Sequence, residues 1–401
     1  MIFRRKRVFF VLSAVVFCWL SLRTYHYFFD SSSPAIKLSG LERDGFYAGN
    51  MQCVLSGSDG YKVSDISIYL DNAPLVNKFR INRRDFDYPF TISSQALSNG
   101  PHTLRVEAVN GTYHKNKTVE DCVFNVDNVP LQAAFVRQES EPKVFQGRTF
   151  HLQFQANKEI KFAQVKTLSK VFNCVPESVH SSVYEAFIPI SCEEIPNEYL
   201  LSVDIVDKVG ARQTLENKFQ VIPYPFKKQM LTFDAAAIKK EEESGLTPQD
   251  LKLKLEDIAR NSPQEKLWQG VFCVPLDMTT VTCDFGTIRT TREKGRYMHK
   301  AVDLGARKKS IIWAAQDGVI KLKDRFAQTG NTVVIDHGCG VSTMYCHLES
   351  FSNINVGQRI EKGNPIGVMG KTGFATGDHL HWEMLVNTVA VDPMQWTKNS
   401  F

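Results

Sequence analysis

The chain is predicted to be mainly β, with an N-terminal apolar anchor, two tandem β-sandwiches, a short helical linker and a C-terminal antiparallel β domain. Three observations predict this. Between residues 34 and 223, short β-branched and aromatic runs alternate with turn signals such as Asn99-Gly100 and Asn110-Gly111. Residues 224–268 switch to a charged, helix-like pattern. From residue 269 strands return, with Gly357, Gly363, Gly367, Gly370, Gly373 and Gly377 marking tight corners. At 401 residues the chain exceeds one ordinary core, and about two to four domains are expected.

Taken in order, residues 1–7 are a basic tail, RRKR, ahead of the apolar run VFFVLSAVVFCWLSL at 8–22. No small-x-small cleavage site follows the run, so an uncleaved transmembrane anchor over 8–29 is favoured over a cleaved signal peptide. Arg23 can snorkel while Trp19, Tyr25 and Tyr27 settle at an interface. Basic residues before the span place the N-terminus in the cytoplasm and the bulk of the chain outside the membrane; in a bacterial chain this would be an inner (cytoplasmic) membrane anchor with the bulk in the periplasm or cell envelope. Of the net charge of +5, Arg4, Arg5, Lys6, Arg7 and Arg23 against Asp30 supply +4, leaving +1 for residues 31–401. That leaves no basic surplus for nucleic acid.

SSSP, 31–34, reads as a short stalk. Residues 34–129 carry strands such as ISIYLDNAPL and PHTLRVEAVNG, spaced as in a seven-strand sandwich. The run NGPHTLRVEAVNG, followed by FNVDN, resembles the closing strands of bacterial immunoglobulin-like modules. Residues 130–223 repeat the layout in LSVDIVDKVGA and FQVI, an internal duplication. Such modules act either as spacers or as docking surfaces for the wall polymer or an envelope protein partner. Outside the apolar run the cysteines fall in pairs along the chain: Cys53 with Cys122, Cys174 with Cys192, Cys273 with Cys283. In an exported chain this suggests disulfides. Cys339 and Cys346 are too far apart on one strand to be bridged.

In the linker, 224–268, DAAAIKKEEES and TPQDLKLKLEDIARN are helical. The second has Thr247 at the N-cap, Pro248 at the first helical position and Asp250 three after the cap, then an apolar stripe of Leu251, Leu255 and Ile258. Either this helix packs on the next domain, or it covers a C-terminal site as a lid.

The C-terminal segment, 269–401, gathers histidines. In GDHLHWEM, 377–384, Leu380, Trp382 and Met384 share one strand face; His379, His381 and Glu383 share the other. His299 and Asp303, four apart in YMHKAVDLG, point the same way if extended. His347 in TMYCHL is expected to share its face with Thr343 and Tyr345, with Met344, Cys346 and Leu348 turned to the core. An HxH pair alone occurs on plain sheet surfaces as often as at metals. HxxxD, a Tyr-x-His strand and HxH together are far more restrictive, and three N/O donors suit a catalytic zinc site with one open position.

These motifs resemble those of the lysostaphin/LytM-type zinc metallopeptidases of bacterial cell walls. The matching residues are His299-Lys-Ala-Val-Asp303, Ile335-Asp-His-Gly338, Tyr345-Cys-His-Leu348, Ile366 to Glu383, and Asp392-Pro393, with FCVPLDMTTVTCDFGTIR (272–289) as an entry strand. Ala301 and Asp378 depart from the usual Gly and Pro, and neither departure removes a ligand. The resemblance implies Zn2+ held by His299, Asp303 and His381, with His347 and His379 as catalytic histidines beside the bound water. His337 has no ligand counterpart and is left to turn hydrogen bonding. Glu383 shares the ligand face and either orients His381 or is an edge charge. Asn331 lining the substrate groove rests on the resemblance alone. The implied function is a zinc endopeptidase of peptidoglycan stem peptides or cross-bridges. The alternatives are a non-catalytic regulator of another wall hydrolase, or a wall- or partner-binding protein acting through the sandwiches.

Overall fold

The computed structural model describes residues 2–137, 142–230, 246–291 and 295–401, with backbone alone for 2–14. The expected helix DAAAIKKEEES lies outside the described residues. The chain divides into two compact units: Met1–Pro130 with Lys208–Ala211, and Leu131–Asp207 with Arg212–Phe401.

The first unit opens with a helix over Ile2–Phe29. This covers the expected span, yet among the described residues no helix is long and apolar enough to cross a membrane. The side chains described, from Val15 on, include Arg23, Thr24 and His26. SSSP is not a free stalk, because the chain around it is tied to the sheet. Tyr27 O accepts from Tyr113 N at 2.8 Å and Asp30 O from Asn116 Nδ2 at 3.1 Å. Ser32 O accepts from Asn110 Nδ2 at 2.9 Å. The helix C-terminus would otherwise leave carbonyls unpaired.

Six strands form one sheet here, where seven in a sandwich were expected. The difference lies in Asn50–Leu70, a single strand of 21 residues. Its first part pairs with Ala35–Ser39 and its second with Gly100–Asn110. Register shifts between Ser58 and Val63 let it bend and serve both halves. Leu55, Ile66, Ile68, Leu104, Val106 and Phe124 fill the core.

In the second unit, residues 133–222 form a sandwich of a four-stranded and a five-stranded sheet. Its Phe187 joins the core of the C-terminal domain, with Trp268, Phe272 and Trp396. Thr149 N donates to Gln395 Oε1 at 2.7 Å, Trp396 Nε1 donates to Thr149 Oγ1 at 3.1 Å, and Arg148 pairs with Asp392 at 2.7 Å. Asp392 also caps the short helix Pro393–Trp396 through Met394 N, so the Asp-Pro element fastens the sandwich to the domain.

All nine cysteines are free, against the disulfide expectation. Cys174 packs on the sandwich core, whereas Cys192 belongs to the neighbouring domain's core. Cys273 Sγ points to Ala314 O at 3.6 Å, while Cys283 lies beside His299 and Asp303. Sequence adjacency therefore misjudges both pairs. Cys53 and Cys122 do share one core, and burial pushes the Cys53 thiol up to about 11.

The C-terminal domain is a ten-stranded sheet with a three-stranded one beside it. The preceding segment is built into it. Lys228–Met230 pairs in parallel with Ile288–Thr290. The helix Pro248–Arg260 starts with the expected capping box: Asp250 N donates to Thr247 Oγ1 and Thr247 N to Asp250 Oδ2. Leu251 and Ile258 pack on Leu322, Phe326, Val334, Met344 and Cys346.

Candidate metal centre

Three strands and one turn bring the histidines together. Val302–Gly305 pairs antiparallel with Leu380–Val386, setting Asp303 directly opposite His381. Leu380–Val386 pairs on its other side with Val341–Phe351, setting Trp382 opposite Tyr345 and His381 opposite Cys346. Opposed residues share a face. Leu380, Trp382 and Met384 lie in the core as expected, and so do Tyr345 and Leu348.

This corrects the expected faces of the His347 strand. Thr343 and Tyr345 lie opposite Met384 and Trp382, on the core side, and Met344 and Cys346 lie on the side of Glu383 and His381, under the helix Pro248–Arg260. Simple alternation would send His347 to the core side. A bulge between the pairs Val333–Tyr345 and Asn331–Leu348, with His347 at φ 63°, reverses the parity. The His347 ring then comes within 4.8 Å of the His379 ring and 5.6 Å of the His381 ring. The conformation is held by His347 Nδ1 donating to Thr372 O at 2.7 Å. Thr372 reaches that position because Gly330 and Gly373 cross closely; a Cβ on Gly330 would strike the Thr372 backbone.

The donor atoms form a near-equilateral triangle. His299 Nε2 lies 3.1 Å from Asp303 Oδ1 and 3.1 Å from His381 Nδ1, and His381 Nδ1 lies 3.0 Å from Asp303 Oδ1. Tetrahedral zinc with bonds of about 2.0–2.1 Å places N and O donors about 3.3–3.4 Å apart, so this set fits zinc within a few tenths of an ångström. Arg289 Nη2 holds the other Asp303 oxygen at 2.7 Å. Glu383 Oε1 holds His381 Nε2 at 2.9 Å, leaving Nδ1 for the cluster. His379 Nδ1 donates to Gly377 O at 2.8 Å, and its Nε2 lies 3.7 Å from Asp303 Oδ1. A carbonyl can only accept, so His347 and His379 both carry the proton on Nδ1 and offer Nε2 as an acceptor.

The electrostatics favour a cation at the triangle. Burial opposes charge on His381, but Asp303 and Glu383 outweigh it and push this imidazole up to about 9. Burial also works against an ionised Asp303, yet hydrogen bonds from His299 and His381 hold it well below the usual carboxylate range. Burial lowers His299, and its Nδ1 has no hydrogen-bond partner among the described residues. Burial and the neighbouring imidazoles push His347 down to about 3, so it stays neutral.

The cluster opens into a cavity of about 650 Å³ walled by Leu251, Leu255, Gln229, Tyr297, Phe374 and Thr376. The helix thus forms one wall of the site rather than a separate linker. Asn331 is not brought to the cluster. Its amide donates to Leu348 O at 2.9 Å and Glu349 O at 3.2 Å, bracing the bulge. His337 sits in the core, its ring bonded to Asp317 O and Thr343 Oγ1. Sequence reasoning gave no role to Arg289, although its place just after the Phe-Gly of the entry strand was visible.

Residues 297–393 match the model of peptidase family M23. The C-terminal domain is a peptidase M23 domain. The lysostaphin/LytM resemblance read from the motifs holds. The chain is 36% identical over 125 residues to the DD-carboxypeptidase/endopeptidase Mpg of Neisseria meningitidis, covering 30% of this chain and 27% of that one. It is 37% identical over 120 residues to the peptidoglycan DD-endopeptidase ShyC of Vibrio cholerae, covering 30% and 28%. Among solved structures, the antimicrobial peptidase lysostaphin from Staphylococcus simulans matches with 32% identity and a TM-score of 0.24, over 25% of this chain and 44% of that one. The chain therefore spans little more than a quarter of the length of these curated relatives, and the shared part is the M23 domain.

Proposed function

We propose that this chain is a zinc endopeptidase that cleaves peptide bonds in peptidoglycan stem peptides or cross-bridges. The observation that carries the reading is the donor triangle of His299 Nε2, Asp303 Oδ1 and His381 Nδ1, beside two imidazoles whose Nδ1 atoms donate to carbonyls and so leave Nε2 as the acceptor. The likeness to the peptidoglycan DD-endopeptidase ShyC supports the substrate class.

His299, Asp303 and His381 would hold the metal. A bound zinc ion would supply a Lewis acid for the scissile carbonyl and lower the pKa of water to about 7. The other steps belong to the chain. His379 Nε2, 3.7 Å from Asp303 Oδ1, is placed to take a proton at the edge of the triangle. The amide nitrogen of the leaving peptide needs that proton back, and the same Nε2 can return it. His347, kept neutral by burial with its proton on Nδ1, would accept a hydrogen bond at Nε2 from the attacking water. Glu383 and Arg289 fix the orientation of His381 and Asp303. The cavity of about 650 Å³ beside the triangle would receive the substrate peptide.

The anchor and the envelope location belong to the same proposal. They are supported by RRKR before an apolar run and by the helix over Ile2–Phe29. Docking of the two N-terminal β modules, the six-stranded sheet and the sandwich of residues 133–222, to wall polymer or to an envelope protein is proposed on their tandem layout.

The test is digestion of purified sacculi by the full chain, with fragments of defined muropeptides identified by mass. Chelation and His381→Ala should each abolish release. Equal release by His381→Ala would overturn the hydrolase reading.

A further inference from the structure

The first β module carries an aromatic, basic end that its own core does not use. Tyr113 stands in the turn between the strands Gly100–Asn110 and Lys117–Val126 and is 64% exposed. Its ring centroid lies 5.7 Å from that of Phe28 and 6.5 Å from that of Tyr27, and Tyr61 lies 6.0 Å from Tyr27. Phe29, 68% exposed, stacks on Tyr25 at 5.4 Å. Two loop tips of the module and the last turns of the helix Ile2–Phe29 therefore make one aromatic patch. Exposed aromatics gathered in one place mark a binding surface. Tyrosine, with an apolar body and a polar tip, suits a boundary where one side is apolar and the other wet.

Cations border the patch. The register of the long hairpin runs from Ser58–Asp85 to Val63–Arg83, so residues 59–62 bulge out opposite Arg84. Lys62 Nζ, 5.8 Å from the Tyr61 ring centroid, donates to Asn82 Oδ1 at 3.1 Å. Arg83, Arg84 and Lys115 are exposed. Lys62, Arg83, Arg84 and Lys115 outnumber Asp30, Asp59 and Asp85. Asp59 Oδ1 accepts from Tyr61 N at 2.8 Å and Lys62 N at 3.0 Å, and Asp30, 12% exposed, accepts from Ser32 N at 2.9 Å. The charge that faces outward is therefore positive.

The helix and the module are joined without slack. Tyr27 O accepts from Tyr113 N at 2.8 Å and Phe28 O from His114 Nε2 at 3.1 Å. Asp30 O and Ser32 O both accept from Asn116 Nδ2, at 3.1 and 3.0 Å. Along a helix, Tyr27 stands about 7.5 Å beyond Leu22, the last residue of the apolar run. The headgroup layer of a bilayer is about 5–8 Å deep on each side. A loop bonded to Tyr27 and Phe28 then lies at headgroup depth.

We propose that this end of the first β module docks on the membrane surface, with Tyr61 and Tyr113 among the headgroups and Lys62, Arg83, Arg84 and Lys115 facing anionic lipid. This rests on the reading that the apolar run at 8–22 enters a bilayer. The lipid contact fixes the module against the membrane instead of letting it swing on a tether.

The experiment uses the full chain in vesicles of phosphatidylethanolamine with phosphatidylglycerol. Photoreactive benzoylphenylalanine replaces Tyr113, Tyr61 or, as a control, Gln95. The exchange at Tyr113 keeps its backbone bond to Tyr27 O. Gln95 lies in the short helix Ser94–Ala96, near the Gly100 end of Gly100–Asn110 and about 33 Å along that strand from Asn110. Flotation reports whether the bilayer holds the chain, and lipid adducts identified by mass report contact. The expected result is flotation of every variant, with lipid adducts at 113 and 61 and none at 95. Arg83→Gln together with Arg84→Gln should lower the yield at 113 about fivefold for each charge removed. Flotation without adducts at 113 and 61, equal adducts at all three positions, or a yield at 113 unmoved by the arginine pair would overturn the docking and leave the anchor standing. Absence of flotation would overturn the anchor, and the docking with it.

Discussion

Arg289 Nη2 grips Asp303 Oδ2 at 2.7 Å, so the opposite oxygen, Oδ1, is the one that faces His299 at 3.1 Å and His381 at 3.0 Å. A carboxylate free to rotate would present either oxygen and pay rotamer entropy on binding a cation. Arg289→Ala should therefore lower zinc affinity about 10–100-fold, measured by competition with a chromogenic chelator, with far-ultraviolet circular dichroism unchanged. Affinity equal to the native protein would mean that Arg289 only balances charge.

In the proposed mechanism His347 and His379 act on substrate without holding the metal. Replacing either by Asn removes an Nε2 acceptor from the edge of the triangle. We expect kcat to fall about 10²–10⁴-fold while zinc content, read by atomic absorption, stays at the native level. Loss of zinc in either variant would move that histidine into the ligand set. For His347 the variant should also keep the bulge, because Asn tolerates a left-handed φ better than most residues.

Much of this site was legible before any coordinates. Strand periodicity placed His379, His381 and Glu383 on one face, and that face is the site. The same periodicity failed at His347, because a one-residue bulge reverses parity and leaves no mark in the hydrophobic pattern. Asn331 was assigned to the groove by resemblance alone, with no periodicity behind it, and its side chain braces the bulge. The cysteines misled for a different reason. Nearness in sequence was read as nearness in space, yet Cys174 and Cys192 serve two different cores. The capping box at Thr247 was local chemistry and was found. The helix it starts became a wall of the cavity only through tertiary packing, which sequence does not display.

The second sandwich and the M23 domain share one apolar core at Phe187, whose ring centroid lies 5.5 Å from that of Trp268 and 5.8 Å from that of Trp396. Trp396 is fully buried, and its Nε1 bonds Thr149 Oγ1 across the junction. Trp396→Ala leaves both a cavity and an unpaired hydroxyl, and should cost about 3–5 kcal/mol. Because the core is continuous, sandwich and M23 domain should melt in one transition in the native chain. A calorimetric trace in which Trp396→Ala splits that transition would agree. A native trace with two independent transitions for these parts would not.

His337 makes acid stability testable away from the metal. Its ring is fully buried, with Nδ1 donating to Asp317 O at 2.6 Å and Nε2 beside Thr343 Oγ1 at 2.8 Å. Burial, only partly offset by the Asp317 carbonyl and charge, pushes it down to about 4. In the unfolded chain a histidine titrates near 6.5. As pH falls below about 6.5, the unfolded state takes up a proton that the folded state refuses, so stability declines until the folded group also protonates near 4. The stabilisation is present above 6.5 and lost as pH falls toward 4, about 3 kcal/mol for this shift. Urea unfolding with chelator present, at steps from pH 7.5 to 4, should show that loss in the native chain and a shallower one in His337→Gln. His347 is buried in both proteins, so its own acid response cancels in the comparison. Parallel curves for the two proteins would show that His337 opens to water before it titrates.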